Sequence, residues 1–135
     1  VTEDHVHAEK AKDRYFVLEE CAGIINADSV SLQKYNDTNK LFYTSAEYSE
    51  GEIIVPQKKN RHETILIDDL IEELHEQTIV LLEKNTTCII PLLKDDKLKG
   101  VIRIKRHNAF RGNDLSRVES FVLSHIDELV EMVHL

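Results

Sequence analysis

The chain has 135 residues, of which 41% are hydrophobic and 31% charged, and its formal net charge is −8 at pH 7. This profile predicts one soluble globular domain with its own core, and it argues against a fibrous or disordered chain. The sequence contains no run of about 18 apolar residues, so it predicts no membrane span. The negative charge disfavours nonspecific binding to nucleic-acid phosphates.

The first segment predicts an amphipathic helix from Glu3 to Asn26. Apolar residues recur at steps of three and four positions, and Glu, Lys, Asp and Arg occupy the opposite side. Thr2 or Asp4 is the candidate N-cap. The apolar stripe is expected to pack on the rest of the domain.

A hairpin is predicted next, with strands Ser29–Tyr35 and Lys40–Tyr48 around a turn rich in Asn and Asp. Alternation in the second strand predicts one face with Leu41, Tyr43 and Ser45 and another with Phe42, Thr44 and Ala46. Both faces carry apolar residues. The pattern therefore predicts a sheet that is covered on both sides.

The stretch from Ser49 to Leu70 is irregular. It contains two short predicted strands, at residues 53–55 and 64–67, and a basic loop at residues 57–61. Asp68 or Asp69 is then expected to cap a helix that runs to about Lys84. An alternative is a break near Gln77 with a strand after it, because periodicity alone does not assign short apolar runs.

A second hairpin follows, with strands Cys88–Leu93 and Leu98–Lys105 around the turn at residues 94–97. One face is predicted to carry Leu98, Gly100, Ile102 and Ile104. Pro91 within the first strand indicates an edge position or a bulge. Seven Lys or Arg residues lie between Lys94 and Arg111; we interpret them as protection of an exposed edge strand against aggregation, with a docking surface for an acidic partner as the alternative.

Asp114 is expected to cap the last predicted helix, which runs to the chain end. Its main apolar stripe is Leu115, Val118, Val122, Ile126, Leu129 and Val133, and Phe121, Val130 and Met132 widen it. This stripe is wider than one sheet face needs. We therefore predict a homodimer interface at Val122, Leu129 and Val133, or a continuation into a further helix.

The second hairpin and the segment after it resemble a GAF domain. The resemblance rests on an apolar strand with Pro91-Leu92, a short acidic turn, the run Leu98-x-Gly-Val-Ile, and then Phe110 and Asp114 before the final helix. It implies an α+β fold of the GAF/PAS type, with a central antiparallel sheet. The terminal helices would pack on one face and an irregular, helix-bearing lid on the other. Residues 1–135 would form a single GAF-like domain, a fragment or subunit of a larger signalling system.

The same resemblance implies a small-molecule pocket under the segment from Ser49 to Leu70. Its floor would come from the second strand and the last hairpin, in keeping with the apolar clefts and few polar groups of most ligand sites. The candidate ligand-binding residues are Tyr43, Ser45, His62, Glu63, Asp68 and Cys88. For each, a structural role is the competing interpretation: sheet packing for Tyr43, a helix cap for Asp68, a solvated loop for His62, and a buried thiol for Cys88 and Cys21.

No catalytic arrangement is evident in the sequence: there is no Ser/His/Asp motif, Gly-rich phosphate loop or HExxH. His5-x-His7 is a weak metal signal, the other histidines are expected to have structural roles, and the sequence leaves the cofactor unknown. We expect a cytoplasmic regulatory sensor that is not an enzyme. It would bind a small ligand and signal through its terminal helices to an effector such as a histidine kinase or a transcription factor. The alternative is a ligand-free module for dimerisation or partner docking.

Overall fold

The structure is a computed structural model that describes residues 14–56, 63–65, 68–76 and 79–134. Within these ranges the chain forms four helices and seven strands. In chain order these are α1 (Phe16–Ile25), β1 (Ser29–Asn36), β2 (Leu41–Ser49), β3 (Glu52–Ile54), β4 (Glu63–Ile65), α2 (Asp68–His75), β5 (Val80–Leu82), β6 (Thr87–Lys94), β7 (Lys97–Lys105), α3 (Gly112–Ser124) and α4 (Ile126–Val133). The first thirteen residues of the chain, which include the start of the first predicted helix, and the basic loop at 57–61 lie outside the described ranges.

All the described strands pair antiparallel in one sheet, in the order β3–β2–β1–β7–β6–β5. Strand β4 also pairs with β2, through the end of β2 that β3 leaves open. The two hairpins β1–β2 and β6–β7 are joined by the pairing of β1 with β7. This arrangement confirms the predicted α+β fold.

The sheet separates two apolar cores. On one face, which we call the helix face, α1, α3 and α4 bury residues such as Leu18, Leu32, Ile102, Val122 and Leu129. On the other, which we call the lid face, Ile71 and Leu74 of α2 pack with Tyr35, Phe42, Val80, Ile89, Leu98 and Val101. Each such buried side chain contributes about 1.5–3 kcal/mol. The predicted placement of terminal helices on one face and a helix-bearing lid on the other is confirmed.

A β-bulge in β2 changes which residues face the lid. Leu32 pairs with Ala46 and Gln33 pairs with Thr44, so Ser45 is an extra residue without a partner in β1. Phe42 therefore belongs to the lid-face core, whereas Ala46 belongs to the helix-face core. The prediction that Phe42, Thr44 and Ala46 share one face is wrong, because the bulge shifts the alternation by one residue.

A second bulge occurs in β7. Leu92 pairs with Gly100 and Leu93 pairs with Leu98, which leaves Lys99 as the extra residue. Leu98 consequently packs in the lid-face core, while Ile102 and Ile104 pack in the helix-face core. The prediction that Leu98 shares a face with Ile102 is wrong for the same physical reason.

The turn between β6 and β7 is formed by Asp95 and Asp96, whose φ angles are 53° and 62°. Two successive residues with positive φ suit the right-handed twist of a two-residue hairpin, and Asp tolerates this region better than most residues. The predicted hairpin is confirmed. Strand β5 pairs with β6 only over residues 87–89, so no described strand flanks Pro91 on that side. The predicted edge position of Pro91 is confirmed as well.

The interpretation of the basic stretch as an edge strand is wrong. Strand β7 carries much of that stretch and lies at the centre of the sheet, between β1 and β6. This central place depends on pairing with β1 more than 60 positions earlier in the chain, which a local pattern does not reveal.

The middle helix is shorter than predicted. Helix α2 ends at His75, and Val80–Leu82 form strand β5, so the helix to Lys84 is wrong and the alternative break is confirmed. Leu81 packs against the helix-face core and Leu82 against the lid-face core. Opposite faces for consecutive residues are the mark of a strand.

The predicted final helix begins at Gly112, with Arg111 and not Asp114 at its N-cap, and it is broken at His125 into α3 and α4. The Ser124 hydroxyl donates to the carbonyl of Ser120 at 2.8 Å, and Nδ1 of His125 lies 2.9 Å from the carbonyl oxygen of Phe121. Side chains that bond back to carbonyls one turn earlier favour a bend. After the break, α4 packs on strands β1, β6 and β7, whereas α3 packs on α1. None of the described helices is both long and apolar enough to cross a membrane.

Candidate functional site

Polar side chains occupy the part of the lid face that is not covered by the apolar core under α2. Glu47 of β2, Ser31 of β1 and Arg103 of β7 are successive partners across three adjacent strands. The neighbouring pair Thr44 and Gln33 continues the polar area toward the core. We call these five residues the polar floor. Side chains of directly paired residues lie on the same face of a sheet, so the five groups converge on one surface.

Hydrogen bonds hold part of the polar floor in place. The Ser31 hydroxyl donates to Oε1 of Glu47 at 3.2 Å, and Nε2 of Gln33 donates to the Thr44 hydroxyl at 3.3 Å. Ser31, Gln33 and Thr44 are buried, with 8%, 5% and 5% of their surface exposed. Polar groups that are buried and fixed in this way form a rigid surface rather than a mobile one.

Two buried polar atoms in this region have no hydrogen-bond partner among the described residues: Nε of Arg103 and Oγ of Ser45. A buried donor or acceptor without a partner costs about 1–3 kcal/mol, and such atoms are few in folded proteins. They are therefore candidate contacts for a bound molecule. Ser45 is the bulge residue beside Thr44, and bulges are frequent next to functional sites.

Arg106, three residues after Arg103, joins the helix-face elements at the end of β7. Its guanidinium donates to the carbonyls of Ile25, Asn108 and Ala109 at 3.0, 2.8 and 2.7 Å. It also pairs with the carboxylate of Asp114 at 2.5 Å and lies 4.4 Å from the ring centre of Phe110. One side chain thus ties the end of α1, the β7–α3 connection and the start of α3 together.

Asp114 completes this junction. The hydrogen bond from Arg106, followed by that from the backbone N–H of Arg111, lowers the pKa of Asp114 below its ordinary value of 3.8. A polar cleft of about 680 Å³ lies beside the junction, lined by Asn26, Asp28, His107 and Arg111 among others. The Arg106 guanidinium already donates to four acceptors, so we interpret its role as structural: it connects these elements.

Comparison with solved structures identifies the architecture. The second GAF domain of DevS from Mycobacterium smegmatis has a TM-score of 0.61 at 13% identity, covering 88% of this chain and 88% of that one. The PixJ GAF domain from Thermosynechococcus elongatus has a TM-score of 0.60 at 14% identity, covering 91% and 86%. The protein has a GAF-like fold. The GAF domain of an Acinetobacter phosphoenolpyruvate-protein phosphotransferase gives 0.60 at 16% identity, covering 87% and 77%.

No family model matches the sequence, and the comparison with curated proteins finds no match. The structure confirms the resemblance to a GAF domain that the second hairpin indicates. Sequence identities this low support a shared fold and nothing more.

In this GAF-like domain, two of the predicted ligand-binding residues lie away from the lid face. Tyr43 follows lid-facing Phe42 and pairs with Lys34, on the helix face; its hydroxyl accepts a hydrogen bond from Nδ2 of Asn39 at 2.7 Å. Cys88 is fully buried in the helix-face core. Both side chains point away from the polar floor, because the alternation of their strands places them on the opposite side of the sheet.

The other predicted ligand-binding residues are placed as follows. Ser45 is buried in the bulge beside the polar floor. Glu63 pairs with Tyr43 through β4, and Asp68 is the first residue of α2. His62 lies outside the described residues. Sequence reasoning missed Ser31, Gln33, Thr44, Glu47 and Arg103, although Arg103 between Ile102 and Ile104 is a signal: a charge inside a strand that is apolar on both sides.

The two cysteines have the character of core residues. Burial raises the pKa of the Cys88 thiol to about 12, and burial together with Cys88 raises that of Cys21 to about 12. Thiols with such pKa values remain protonated at neutral pH and are poor nucleophiles. Both are free cysteines.

Basic residues gather at the hairpin end of the helix face, near the end of α4. Burial, and then the positive charges of Lys34, Lys99 and Lys94, lower the pKa of His134. Lysines near a helix C-terminus are favourable for the helix dipole. The alternative interpretation of the basic stretch, a docking surface for an acidic partner, stays a prediction and applies to this cluster.

The residues predicted for a dimer interface are inside the fold. Val122, Leu129 and Val133 are 1%, 1% and 2% exposed and pack in the helix-face core of their own chain. They offer no surface to a second copy in this structure. The exposed apolar side chain on these helices is Leu123, which is 61% exposed. It lines a groove of about 290 Å³ with Ile79, Ile90, Pro91, Leu93, Glu119 and Ile126.

Proposed function

We propose that this GAF-like domain is a regulatory sensor module. It binds a small cytosolic ligand on the polar floor, against Arg103, and passes the change through its terminal helices to an effector such as a histidine kinase or a transcription factor. The observation that carries the proposal is the buried Nε of Arg103, which has no partner among the described residues. A guanidinium in such a setting suits a carboxylate or another planar anion, which it can bind with two parallel hydrogen bonds.

A physical route from this site to the helices supports the second half of the proposal. Arg103 on the lid face and Arg106 at the helix junction are three residues apart on β7 and its continuation. A ligand that shifts the end of β7 would act on the carbonyl of Ile25 in α1 and on Asp114 in α3 through Arg106. Transmission requires that the ligand prefers one of two helix arrangements.

A thermal-shift screen tests the binding half. We expect one class of anionic or zwitterionic metabolite to raise the Tm of the wild-type domain. A ligand at 100 times its Kd stabilises a protein by about 2.7 kcal/mol, or roughly 10 °C for a domain of this size.

Arg103→Met is the informative variant for this screen. It keeps an unbranched stem and puts a methyl group at the position of the unpaired buried Nε donor, so the unliganded Tm should be unchanged or higher, while the ligand-induced rise is lost. Arg117→Gln, an exposed arginine on α3, is the matched control and should keep the full rise. A ligand response that survives Arg103→Met would place the site elsewhere, and no response to any metabolite would end the sensor proposal.

A second candidate function is a ligand-free module for dimerisation or partner docking. It is favoured by the groove beside the open edge of β6 and by the exposure of Leu123. If this groove forms a homodimer, Leu123→Lys should convert dimers to monomers in light scattering without lowering the Tm, because an exposed residue tolerates the change. Phe16→Lys, at an apolar position on α1 that is 49% exposed, is the control. A wild-type protein that is monomeric, or a Leu123→Lys variant that stays dimeric, would contradict this function.

A further inference from the structure

The polar floor presents opposite charges at a fixed spacing. Glu47 and Arg103 are each paired with Ser31, from opposite sides, in one row across the sheet. Their Cα atoms are thus two strand spacings apart, or roughly 10 Å. Both side chains stand on the same face, so a carboxylate and a guanidinium can approach a small molecule from two sides.

The two charges do not satisfy each other. The ion pair found among the described residues joins Arg106 and Asp114, and none joins Glu47 to Arg103. One oxygen of Glu47 accepts the Ser31 hydroxyl, whereas Nε of Arg103 is buried without a partner in the same set of residues. A carboxylate and a guanidinium held apart by a hydroxyl would both be compensated by a molecule that carries the two complementary charges.

We infer that the ligand class of this site is a free α-amino acid, bound with its carboxylate on Arg103 and its ammonium on Glu47. This inference rests on the proposed ligand-binding function. The Arg103 guanidinium would donate to the ligand carboxylate. The ligand ammonium would donate to the Glu47 oxygen that Ser31 leaves open, and the Ser31 hydroxyl oxygen could accept a further ammonium hydrogen.

The row disfavours other common ligand classes. A phosphate with two negative charges would meet one cation and would be repelled by Glu47, while a cationic amine would meet Glu47 and be repelled by Arg103. A molecule that is neutral overall but charged at both ends leaves no charge uncompensated at this partly buried surface. Uncompensated buried charges are costly.

The test is isothermal titration calorimetry, which measures the Kd of the wild-type domain for each of the twenty proteinogenic L-amino acids. Two derivatives of the tightest binder are then measured in the same way. The N-acetyl derivative lacks the ammonium and the carboxamide lacks the carboxylate. Each derivative is expected to bind about 10- to 100-fold more weakly, because each leaves one charged protein group without its partner.

Two variants assign the charges to their residues. Glu47→Gln should weaken the parent amino acid by a similar factor and leave the N-acetyl derivative unchanged. Arg103→Met should weaken the parent and leave the carboxamide unchanged. Such matched losses are the pattern of a direct pairwise contact. The unliganded Tm of each variant, measured alongside, separates a lost contact from a lost fold.

The outcomes distinguish the inference from the proposed function. If a simple carboxylate binds as tightly as the amino acid and Glu47→Gln has no effect, the amino-acid inference is overturned and the sensor proposal stands. The same holds if no amino acid binds but another metabolite of the thermal-shift screen does. If neither set contains a binder, both proposals are overturned together.

Discussion

Replacing Gly100 with alanine is expected to lower the free energy of unfolding by about 3 kcal/mol, at the upper end of the usual cost of overpacking. A Cβ at this position would lie 2.2 Å from the carbonyl oxygen of Gln33 and 3.2 Å from Cγ1 of Val133. Gly100 follows the bulge residue Lys99, where β1 and the last helix both approach β7. The backbone of β1 must move for alanine to fit, and the measurement is urea unfolding.

A control of the same chemistry is available in α1. A Cβ added at Gly23 meets nothing within 4 Å, and alanine is the better helix former, so Gly23→Ala should stabilise the protein by about 0.5–1 kcal/mol. The same substitution is thus expected to have opposite signs at the two positions. A Gly100→Ala variant within 0.5 kcal/mol of wild type would show that β1 yields easily.

The origin of the Gly100 effect can be resolved further. The severe contact is with the backbone of Gln33, whereas the contact with Val133 is milder. Val133→Ala, which removes the Cγ1 atom, should therefore rescue only a small part of the Gly100→Ala cost, because the two positions are coupled only through the milder contact. Substantial rescue would instead assign the strain to the packing of α4 on the sheet.

Local patterns predicted the hairpins, the helix-face apolar stripe and the α+β class, because these follow from turn residues and from periods of 2.0 and 3.6. They failed at Ser45 and Lys99. A single inserted residue reverses the phase of every later side chain in its strand, and nothing local marks which residue is extra. The sequence does not reveal the bulge, and simple alternation therefore predicted that Tyr43 and Ser45 share a face.

The candidate site depends on information that the linear sequence does not contain. Glu47, Ser31 and Arg103 are brought into one row by the pairing of three strands, two of which meet only through the long-range β1–β7 contact. The mixed character of β7 was visible in the sequence. Its central position was not, so its charges were assigned to an edge. A charge between two buried isoleucines, at Arg103, was the available clue.

Replacing Arg106 with glutamine is the second substitution with a large expected effect. It removes the donors that serve the carbonyls of Ile25, Asn108 and Ala109. Loss of these charge-assisted hydrogen bonds, with the carbonyls left in place, is expected to cost about 3 kcal/mol. Arg106→Lys keeps the charge but lacks the planar guanidinium, so its stability should lie between those of the wild type and Arg106→Gln. Arg111→Gln, at an exposed neighbouring arginine, is the control and should change stability by less than about 0.5 kcal/mol.

The pH dependence of unfolding provides an independent test of the same junction. Because Arg106 and the Arg111 amide lower the pKa of Asp114, the unfolded state binds the proton more tightly than the folded state. The Asp114 contribution is therefore present above the ordinary pKa of 3.8 and is lost as the pH falls through the lower folded value. The stability difference between wild type and Asp114→Asn should shrink across this window. A difference that is constant with pH would contradict the charged pair.

The location of the residues that lose stability in Arg106→Gln distinguishes a local link between α1 and α3 from a general loss of packing. Arg106 contacts the end of α1 and the start of α3 but none of the side chains of the lid-face core. In Arg106→Gln, amide hydrogen exchange should therefore increase first at the C-terminal turn of α1 and the N-terminal turn of α3, with the central strands β1 and β7 still protected. Uniform loss of protection would mean that Arg106 supports the whole domain. The proposed route from Arg103 to the terminal helices requires local loss of protection. The contacts of Arg106 can transmit a change to the helices only if they open with a smaller free-energy cost than the neighbouring sheet.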